Sequence, residues 1–392
     1  MSEFFELEPK TTRKGFFNFK EELAHFNKAL KEGARLVLIG GLRRTGKTSL
    51  LLTGLGESGL PYLFIDARSI TGGFTVSRQG LISAVERAQD SFLQRNKAWI
   101  QDFLQVAKGL RGVVLRTEAP IVRLAWRPSE EAVDLTAFFG ALGDVAEKRH
   151  TRMVIAFDEA QELKKITDYD VRGMLAYIYD HVPGLQIVLT GSQYGLLQDF
   201  VGLEDPTSAL YGRSYELIST RRLKVNEAKR FLQLGFAQAG VRVPREIVDE
   251  AVRRSGGIIG WLALFGHEIC TSSTMDSALT RIREIASQVI SIQLNDFLQI
   301  RPGKAKARYQ TLLYKAARSG PCSWIELKRA IEESEGTKIA DSILANLINN
   351  LVKASFFEVT KEKRYQVADP MMAEVMKMQN LTGNVTKVGV RS

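Results

Sequence analysis

The sequence is poor in cysteine and has no long apolar run, no repeats and no low-complexity tract. Its two cysteines, Cys270 and Cys322, stand too far apart for a metal-binding spacing. Without a disulphide framework the chain is not a stapled secreted domain, and we expect a cytoplasmic protein. No stretch approaches the roughly 18 apolar residues of a membrane span, so we expect no membrane partner. The first residues, Met1–Glu6, also lack the pattern of a signal peptide.

The positive charge is concentrated in the last quarter of the chain. Hydrophobic content of 45% and charged content of 25% are ordinary for globular proteins, and 392 residues predict two or three domains. Residues 1–220 hold 27 basic and 27 acidic side chains, residues 221–299 hold 11 and 8, and residues 300–392 hold 16 and 9. A basic terminal module favours a phosphate-rich partner, although charge that only confers solubility gives the same sum.

The most informative motif is a glycine-rich loop that reads G-L-R-R-T-G-K-T. Its two glycines allow successive backbone N–H groups to point into one anion-binding cavity. The lysine reaches the β- and γ-phosphates of a nucleotide, and the threonine hydroxyl ligates Mg²⁺. A short apolar strand precedes the loop and a helix follows it, as this site requires. The predicted nucleotide-binding residues are Gly41, Leu42, Arg43, Arg44, Thr45, Gly46, Lys47, Thr48 and Ser49.

A pair of acids follows the next informative strand, Met153–Phe157. We expect Asp158 to hold Mg²⁺ beside Thr48, and Glu159 to act as general base on the attacking water. An ordinary helix start also favours acids, so the phosphate loop upstream decides the interpretation. A glutamate directly after the aspartate favours an ATPase. The rival GTPases need an Asn-Lys-x-Asp element, which the sequence lacks.

Two further positions are candidates for sensing or stabilising the γ-phosphate. Ser192 follows a third apolar strand, Gln186–Thr190, and we predict that it is a sensor, with Thr190 behind it. A plain turn between strand and loop is the alternative. Arg213 is a candidate catalytic arginine that neutralises transition-state charge, and a solvated arginine is the alternative.

The pattern of elements predicts three domains. Residues 1–220 alternate strands and helices, which predicts an α/β domain, a parallel sheet with helices on both faces and ligands at the carboxyl ends of the strands. Residues 221–299 are typical of a small helical cap. Residues 300–392 indicate three helices and a β-hairpin, a winged helix-turn-helix.

The third helix of the winged domain is predicted over Lys338–Lys353, with Ile339, Ile343, Leu347 and Leu351 on its buried face. Such a helix can enter a DNA major groove, while the hairpin forms the wing. Winged helices also serve as protein-docking or structural modules, and the basic excess favours DNA. The candidate DNA-binding residues are Lys338, Asn346, Asn349, Lys353, Lys361, Lys363 and Arg364.

Together these segments resemble the archaeal ATPase family, a branch of the AAA+-like STAND P-loop NTPases. The resemblance covers nearly the whole chain and is carried by Gly40–Leu51, Phe157–Gln161, Leu189–Ser192, Leu210–Arg213 and Gly256–Leu262. It implies an ASCE-type P-loop fold and ATP or ADP with Mg²⁺, bound between sheet domain and cap. A C-terminal winged helix follows in such proteins.

Two residues depart from the family pattern. Ile259 stands where the cap motif usually has a proline near the nucleotide. Phe19 stands where a segment beside the adenine usually has an arginine.

Three functions are compatible with this reading. The first is an ATP-driven switch whose hydrolysis controls a DNA-binding winged helix. The second is a slow-turnover signalling scaffold whose winged helix docks a protein. The third is an oligomeric ATPase that remodels DNA or serves a mobile element.

Overall fold

The computed structural model describes residues 2–70, 76–107, 113–118, 121–126, 134–299, 301 and 303–379. Contacts group these residues into two units. The sheet unit consists of Pro9–Gly41 and Gly46–Thr220. The helical unit consists of the described residues of Met1–Glu8, Leu42–Thr45 and Arg221–Ser392. The division into three domains stays a prediction.

The sheet unit alternates helices and strands along the chain, as predicted. Its elements are α1 (Lys20–Glu32), β1 (Leu36–Gly40), α2 (Lys47–Ser58), β2 (Tyr62–Asp66), α3 (Arg78–Arg95), α4 (Ile100–Ala107), β3 (Val113–Glu118), β4 (Ile121–Trp126), α5 (Leu135–Lys148), β5 (Met153–Asp158), α6 (Val171–His181), β6 (Leu185–Gly191), α7 (Tyr194–Val201) and β7 (Glu216–Ser219).

Within the described residues, the main sheet has five parallel strands in the order β2-β5-β6-β1-β7. Every residue of β1, β5 and β6 is buried. Parallel strands covered on both faces show such continuous apolar runs, which is why the sequence revealed them. The register pairs Asp66 with Asp158 and Gly40 with Gly191, so the carboxyl ends of these strands lie side by side.

Two parts of the sheet unit lie outside its central alternation of strands and helices. The helices α3 and α4 follow one another and are separated by a short 3-10 turn at Lys97–Trp99. The antiparallel pair β3-β4 forms its own small sheet.

The helical unit contains the cap and the winged helix. Its elements are α8 (Val225–Ala239), α9 (Arg245–Ser255), α10 (Ile259–Thr271), α11 (Met275–Gln299), α12 (Gly303–Ser319), α13 (Trp324–Glu335), α14 (Asp341–Lys353), β8 (Phe357–Val359), β9 (Tyr365–Val367) and α15 (Pro370–Gln379). None of the helices in the described part of the chain is long and apolar enough to cross a membrane.

The winged helix is confirmed, with one correction to its third helix. Helices α12 to α14 precede the antiparallel hairpin β8-β9. The helix α14 begins at Asp341 rather than at Lys338, because Ala340 still has an extended backbone. The buried stripe of α14 is therefore Leu344, Leu347, Ile348 and Leu351, and Ile343 is 41% exposed.

Ion pairs join the cap helices to the winged helix inside the helical unit. Arg222, just before α8, donates to Glu358 of β8 at 2.8 Å. Arg254 of α9 donates through Nε to Glu374 of α15 at 2.8 Å, and its side chain is buried. Charged pairs with little solvent exposure fix relative positions more firmly than surface pairs do.

The N-terminal residues also belong to the helical unit, and Phe5 is their anchor. The Phe5 ring is fully buried, and its centroid lies 5.0 Å from that of Phe236 in an edge-to-face arrangement. A Cβ on Gly235 or Gly266 would come within 2.3 Å of this ring. Helices α8 and α10 therefore carry glycine at the positions where the Phe5 ring packs.

We predict that Phe5→Ala destabilises the helical unit by about 3–5 kcal/mol, because it leaves a cavity between two glycines. The measurement is urea unfolding followed by circular dichroism. Leu7→Ala is the control, since Leu7 is 52% exposed and its loss should change stability by less than about 0.5 kcal/mol. Equal midpoints for both variants would show that Phe5 does not anchor the unit.

Candidate functional site

The phosphate loop begins and ends on glycines in backbone conformations that other residues rarely adopt. Gly41 has φ of 146° and Gly46 has φ of 91°. Gly46 is the N-cap of α2, and its carbonyl accepts the Leu50 N–H at 2.9 Å. The first N–H groups of a helix have no partner within the helix, so the start of α2 favours an anion.

Lys47, the first residue of α2, is only 4% exposed. Burial of an ammonium group is costly unless a negative group compensates it. On the same helix, the Ser49 hydroxyl accepts the Lys10 N–H at 3.0 Å, and the Thr53 hydroxyl donates to the Lys10 carbonyl at 3.2 Å. The segment that precedes α1 is thereby fixed against the helix that starts the site.

The central residues of the loop, Leu42–Thr45, belong by their contacts to the helical unit. The Thr45 hydroxyl donates to the Leu42 carbonyl at 2.7 Å, which closes the loop on itself. Arg44 has φ of 62°, in the left-handed region where a non-glycine residue is uncommon. The loop therefore contributes residues to both units.

Asp158, the last residue of β5, is completely buried. Its Oδ2 accepts the Thr48 hydroxyl at 2.9 Å, and its Oδ1 accepts the Thr190 hydroxyl. Burial raises the pKa of this carboxyl, and the Thr190 hydrogen bond opposes the rise. Thr48 thus lies beside Asp158, and the binding of Mg²⁺ by the two residues stays a prediction.

These two side chains fit a magnesium ion. A hydroxyl and a carboxylate are hard oxygen donors, which Mg²⁺ prefers, and Mg²⁺ usually keeps few protein ligands beside phosphates and water. Thr48 and Asp158 would hold it, at the end of the lysine-bearing loop.

Glu159 is held by the next strand. Its φ is 53°, and its N–H donates to the Thr190 hydroxyl at 3.2 Å. Its Oε2 accepts the Ser192 hydroxyl at 2.6 Å, the Ser192 N–H at 3.2 Å and the Gln161 amide at 2.5 Å. Ser192 therefore contacts the candidate base directly, a contact that the sequence did not reveal.

Arg68 is a site residue that the sequence analysis missed. Its guanidinium forms a fork with Asp66 at the end of β2 and lies 3.7 Å from Asp158 Oδ2. The hydrogen bond to Asp66 raises the pKa of Arg68 further. The signal that could have found it is Asp66-Ala67-Arg68 directly after the strand that pairs with β5.

The most informative comparison is with a solved structure, the Walker-type ATPase PABY2304 of Pyrococcus abyssi. The two chains are 30% identical, with a TM-score of 0.78 over 95% of this chain and 99% of that one. The chain belongs to this family of archaeal Walker-type ATPases.

Two further comparisons concern the fold and the C-terminal domain. The ORC2 protein of Aeropyrum pernix, solved in ADPNP–ADP complexes, is 13% identical with a TM-score of 0.60, over 97% of this chain and 98% of that one. That likeness shows a shared fold. Residues 303–368 match the family model of the MCM protein C-terminal winged helix-turn-helix domain. The curated proteins give no match.

Arg213 of the ATPase does not lie at the phosphate loop of its own chain. Its Nε donates to Asp180 at 3.0 Å, and its guanidinium lies 5.7 Å from the Tyr179 ring centroid. Arg35, which precedes β1, donates to the Tyr179 carbonyl at 2.6 Å. Arg213 is thus at the amino end of the sheet, and its catalytic role stays a prediction.

The two departures from the family pattern lie at the starts of helices. Phe19 is 2% exposed, caps the start of α1 and packs against Phe16 with ring centroids 6.3 Å apart. Ile259 is the first residue of α10 in the helical unit. Phe19 is thus a buried core residue of the sheet unit, and Ile259 is half-buried.

The candidate DNA-binding residues divide into exposed and engaged side chains. Asn346 and Asn349 are exposed on α14, and Lys338 is exposed in the segment before it. Lys361 and Lys363 are exposed in the turn of the wing, while Lys353 is half-buried at the end of α14. Arg364, by contrast, donates to Glu326 at 2.8 Å and to the Pro321 carbonyl at 2.9 Å.

We predict that Lys47→Ala lowers ATP affinity at least about tenfold, because the loop loses its cation on the β- and γ-phosphates. Isothermal calorimetry measures the change. Lys47→Met keeps the buried volume and should behave alike, whereas Lys28→Ala on the exposed side of α1 should bind ATP normally. Equal affinity of Lys47→Ala and wild type would remove the phosphate-loop assignment.

We predict that Glu159→Gln binds ATP normally and hydrolyses it at least about a hundredfold more slowly, because the amide keeps the shape and loses the base. Phosphate release measures the rate. The control is Glu162→Gln, on the same short helical turn but paired with Lys165. Wild-type hydrolysis by Glu159→Gln would identify Glu159 as an ordinary acid at a helix start.

Proposed function

We propose that this protein is a Mg²⁺-dependent ATPase switch in which the state of the nucleotide controls a DNA-binding winged helix. The proposed ATPase activity rests on the hydrogen bond between Thr48 and buried Asp158. Thr48 directly follows Lys47, which is also buried. Membership of a family of Walker-type ATPases supports the same reaction. Hydrolysis yields ADP and phosphate.

The residues of the site have complementary roles in this proposal. The phosphate loop binds the nucleotide with its backbone N–H groups, and Lys47 pairs with the β- and γ-phosphates. Thr48 and Asp158 would hold Mg²⁺, which would neutralise negative charge on the phosphates.

Glu159 takes a proton from the attacking water in this proposal. In the structure its carboxylate accepts hydrogen bonds from Ser192 and Gln161. The serine hydroxyl and N–H therefore position the base, and a sensor role for Ser192 acts through Glu159.

The DNA-binding part rests on charge and exposure in the winged helix. Residues 300–392 carry a net charge of +7 (16 basic and 9 acidic side chains). Exposed lysines in the wing can neutralise phosphates, which supplies affinity without reading bases. The exposed asparagines of α14 have the side chain that pairs with adenine in the major groove.

One observation favours a second function, a scaffold that docks a protein through the same domain. Ile343 on α14 and Ile325 on α13 are 41% and 59% exposed. Apolar side chains on an exposed helix are typical of protein interfaces when they cluster.

We predict that the chain of 392 residues binds duplex DNA with strong salt dependence and weak sequence preference, because lysine-to-phosphate contacts dominate. Replacing Lys361 and Lys363 with glutamine should weaken binding to all sequences alike. It should flatten the slope of log affinity against log salt by up to about two units, since each lysine neutralises about one phosphate. Arg364 is left unchanged because it is paired with Glu326. Fluorescence anisotropy over a salt series is the measurement.

The matched control replaces Lys28 and Lys31 of α1 with glutamine, which removes the same charge from the sheet unit. Its slope should equal that of the wild type. If the wild-type protein binds no duplex at low salt, the winged helix is a docking module and the scaffold replaces the switch.

A further inference from the structure

The side chain of Arg44 links the phosphate loop to the end of the winged helix. Its Nη1 lies 3.8 Å from Asp369 Oδ2, and its guanidinium carbon lies 4.3 Å from the ring centroid of Trp261. The same nitrogen donates weakly to Gln293 of α11 at 3.5 Å. All of these residues belong to the helical unit. An arginine of the phosphate loop thus has its charge neutralised by protein.

Asp369 joins three segments of chain through one carboxylate. The indole N–H of Trp261 donates to both of its oxygens, at 3.0 and 2.9 Å, and the Met371 N–H donates to Oδ1 at 2.9 Å. The last bond caps the first turn of α15, directly after β9. Asp369 is therefore the cap of the final helix, the partner of a cap-domain tryptophan and the counter-ion of the loop.

The backbone of Arg44 is held as well. Its carbonyl accepts the N–H of Gly260 at 2.9 Å, at the start of α10. A Cβ on Gly260 would lie 2.8 Å from the Cβ of Arg44, so only glycine admits this approach. In a phosphate loop the N–H groups face the anion. A carbonyl fixed by an outside donor is consistent with that orientation.

Surrounding contacts make Asp369 a firm attachment point. Trp261 is 2% exposed, and the side chain of Asp369 is 13% exposed. A Cβ on Gly256 would lie 2.5 Å from the ring of Pro370, which shows how closely α9 approaches the start of α15. Together with the Arg254–Glu374 pair, these contacts attach α15 to the cap helices.

We propose that Arg44 is a positioning residue that pre-organises the phosphate loop by tying it to Asp369 and Trp261, and that this tie couples nucleotide binding to the winged helix. The inference rests on the proposed function, since it requires a nucleotide on the loop. Pre-organisation raises affinity because less freedom is lost on binding. By linkage, the nucleotide must stabilise the tie as much as the tie stabilises nucleotide binding.

The first test measures MgATP and MgADP affinity of the full-length protein by calorimetry. Asp369→Asn keeps an acceptor for Trp261 and Met371 but removes the charge that faces Arg44. Each nucleotide should bind about five- to tenfold more weakly, and by similar factors, because the tie acts on the loop and not on the γ-phosphate. Removal of a negative charge near the loop would by itself give equal or tighter binding of an anion. Weaker binding is therefore specific to the tie.

Arg44→Asn breaks the same ion pair from the loop side, and asparagine tolerates the left-handed backbone at this position. The double variant should lose no more nucleotide affinity than the single variant that binds more weakly, because the two changes remove the same interaction. Glu335→Gln is the matched control, since it breaks the Arg308–Glu335 pair in the winged helix without touching the loop. Its affinities should equal those of the wild type.

The second test measures hydrogen exchange in the first turn of α15. MgADP should slow exchange of the Met371 and Ala373 amides in the wild type and leave it unchanged in Arg44→Asn. Two results would contradict the proposed tie and leave the ATPase assignment intact. One is that Asp369→Asn binds nucleotide as tightly as the wild type. The other is that the affinity loss of the double variant equals the product of the two single losses. If the wild type binds neither nucleotide, the proposed function fails first.

Discussion

The buried carboxylate of Asp158 is the group on which the candidate functional site depends. It accepts hydrogen bonds from the hydroxyl groups of Thr48 in α2 and Thr190 in β6, so α2, β5 and β6 of the sheet unit meet at one carboxylate. An unpaired carboxylate in such a place would cost several kcal/mol. Its donors offset part of that cost, and they fix the strand ends from which Glu159 and Ser192 project. The parallel sheet provides this convergence, because the carboxyl ends of neighbouring strands share one edge.

The phosphate loop also depends on contacts within the helical unit. Its flanking glycines belong to the sheet unit, whereas Leu42–Thr45 belong to the helical unit. Arg44 meets Asp369 there, and Asp369 also caps the helix that follows the wing. The family resemblance predicted that cap and winged helix accompany the ATPase domain. The contacts around Asp369 are the basis of the proposed coupling between a nucleotide on the loop and the winged helix.

Much of the fold could be predicted, and the misses have physical causes. The strands β1, β5 and β6 were predicted because burial on both faces requires continuous apolar runs. The edge strand β7 was missed, since it has four residues of which only one is buried. The start of α14 was placed at Lys338 because apolar spacing extended back to Ile339, yet the extended backbone of Ala340 delays the helix to Asp341. Periodicity reveals which face is apolar more reliably than where a helix begins.

The sequence by itself determined the local chemistry: the glycine-lysine-threonine loop, the adjacent acids Asp158 and Glu159, and the winged helix. These features depend on neighbouring residues, whose spacing along the chain fixes their geometry. Only the tertiary structure decided the partners of three arginines. Arg213 pairs with Asp180, Arg364 pairs with Glu326 and Arg44 faces Asp369. A guanidinium on a long, flexible side chain pairs with whichever carboxylate the packing of distant segments brings within reach, and no local pattern encodes that choice.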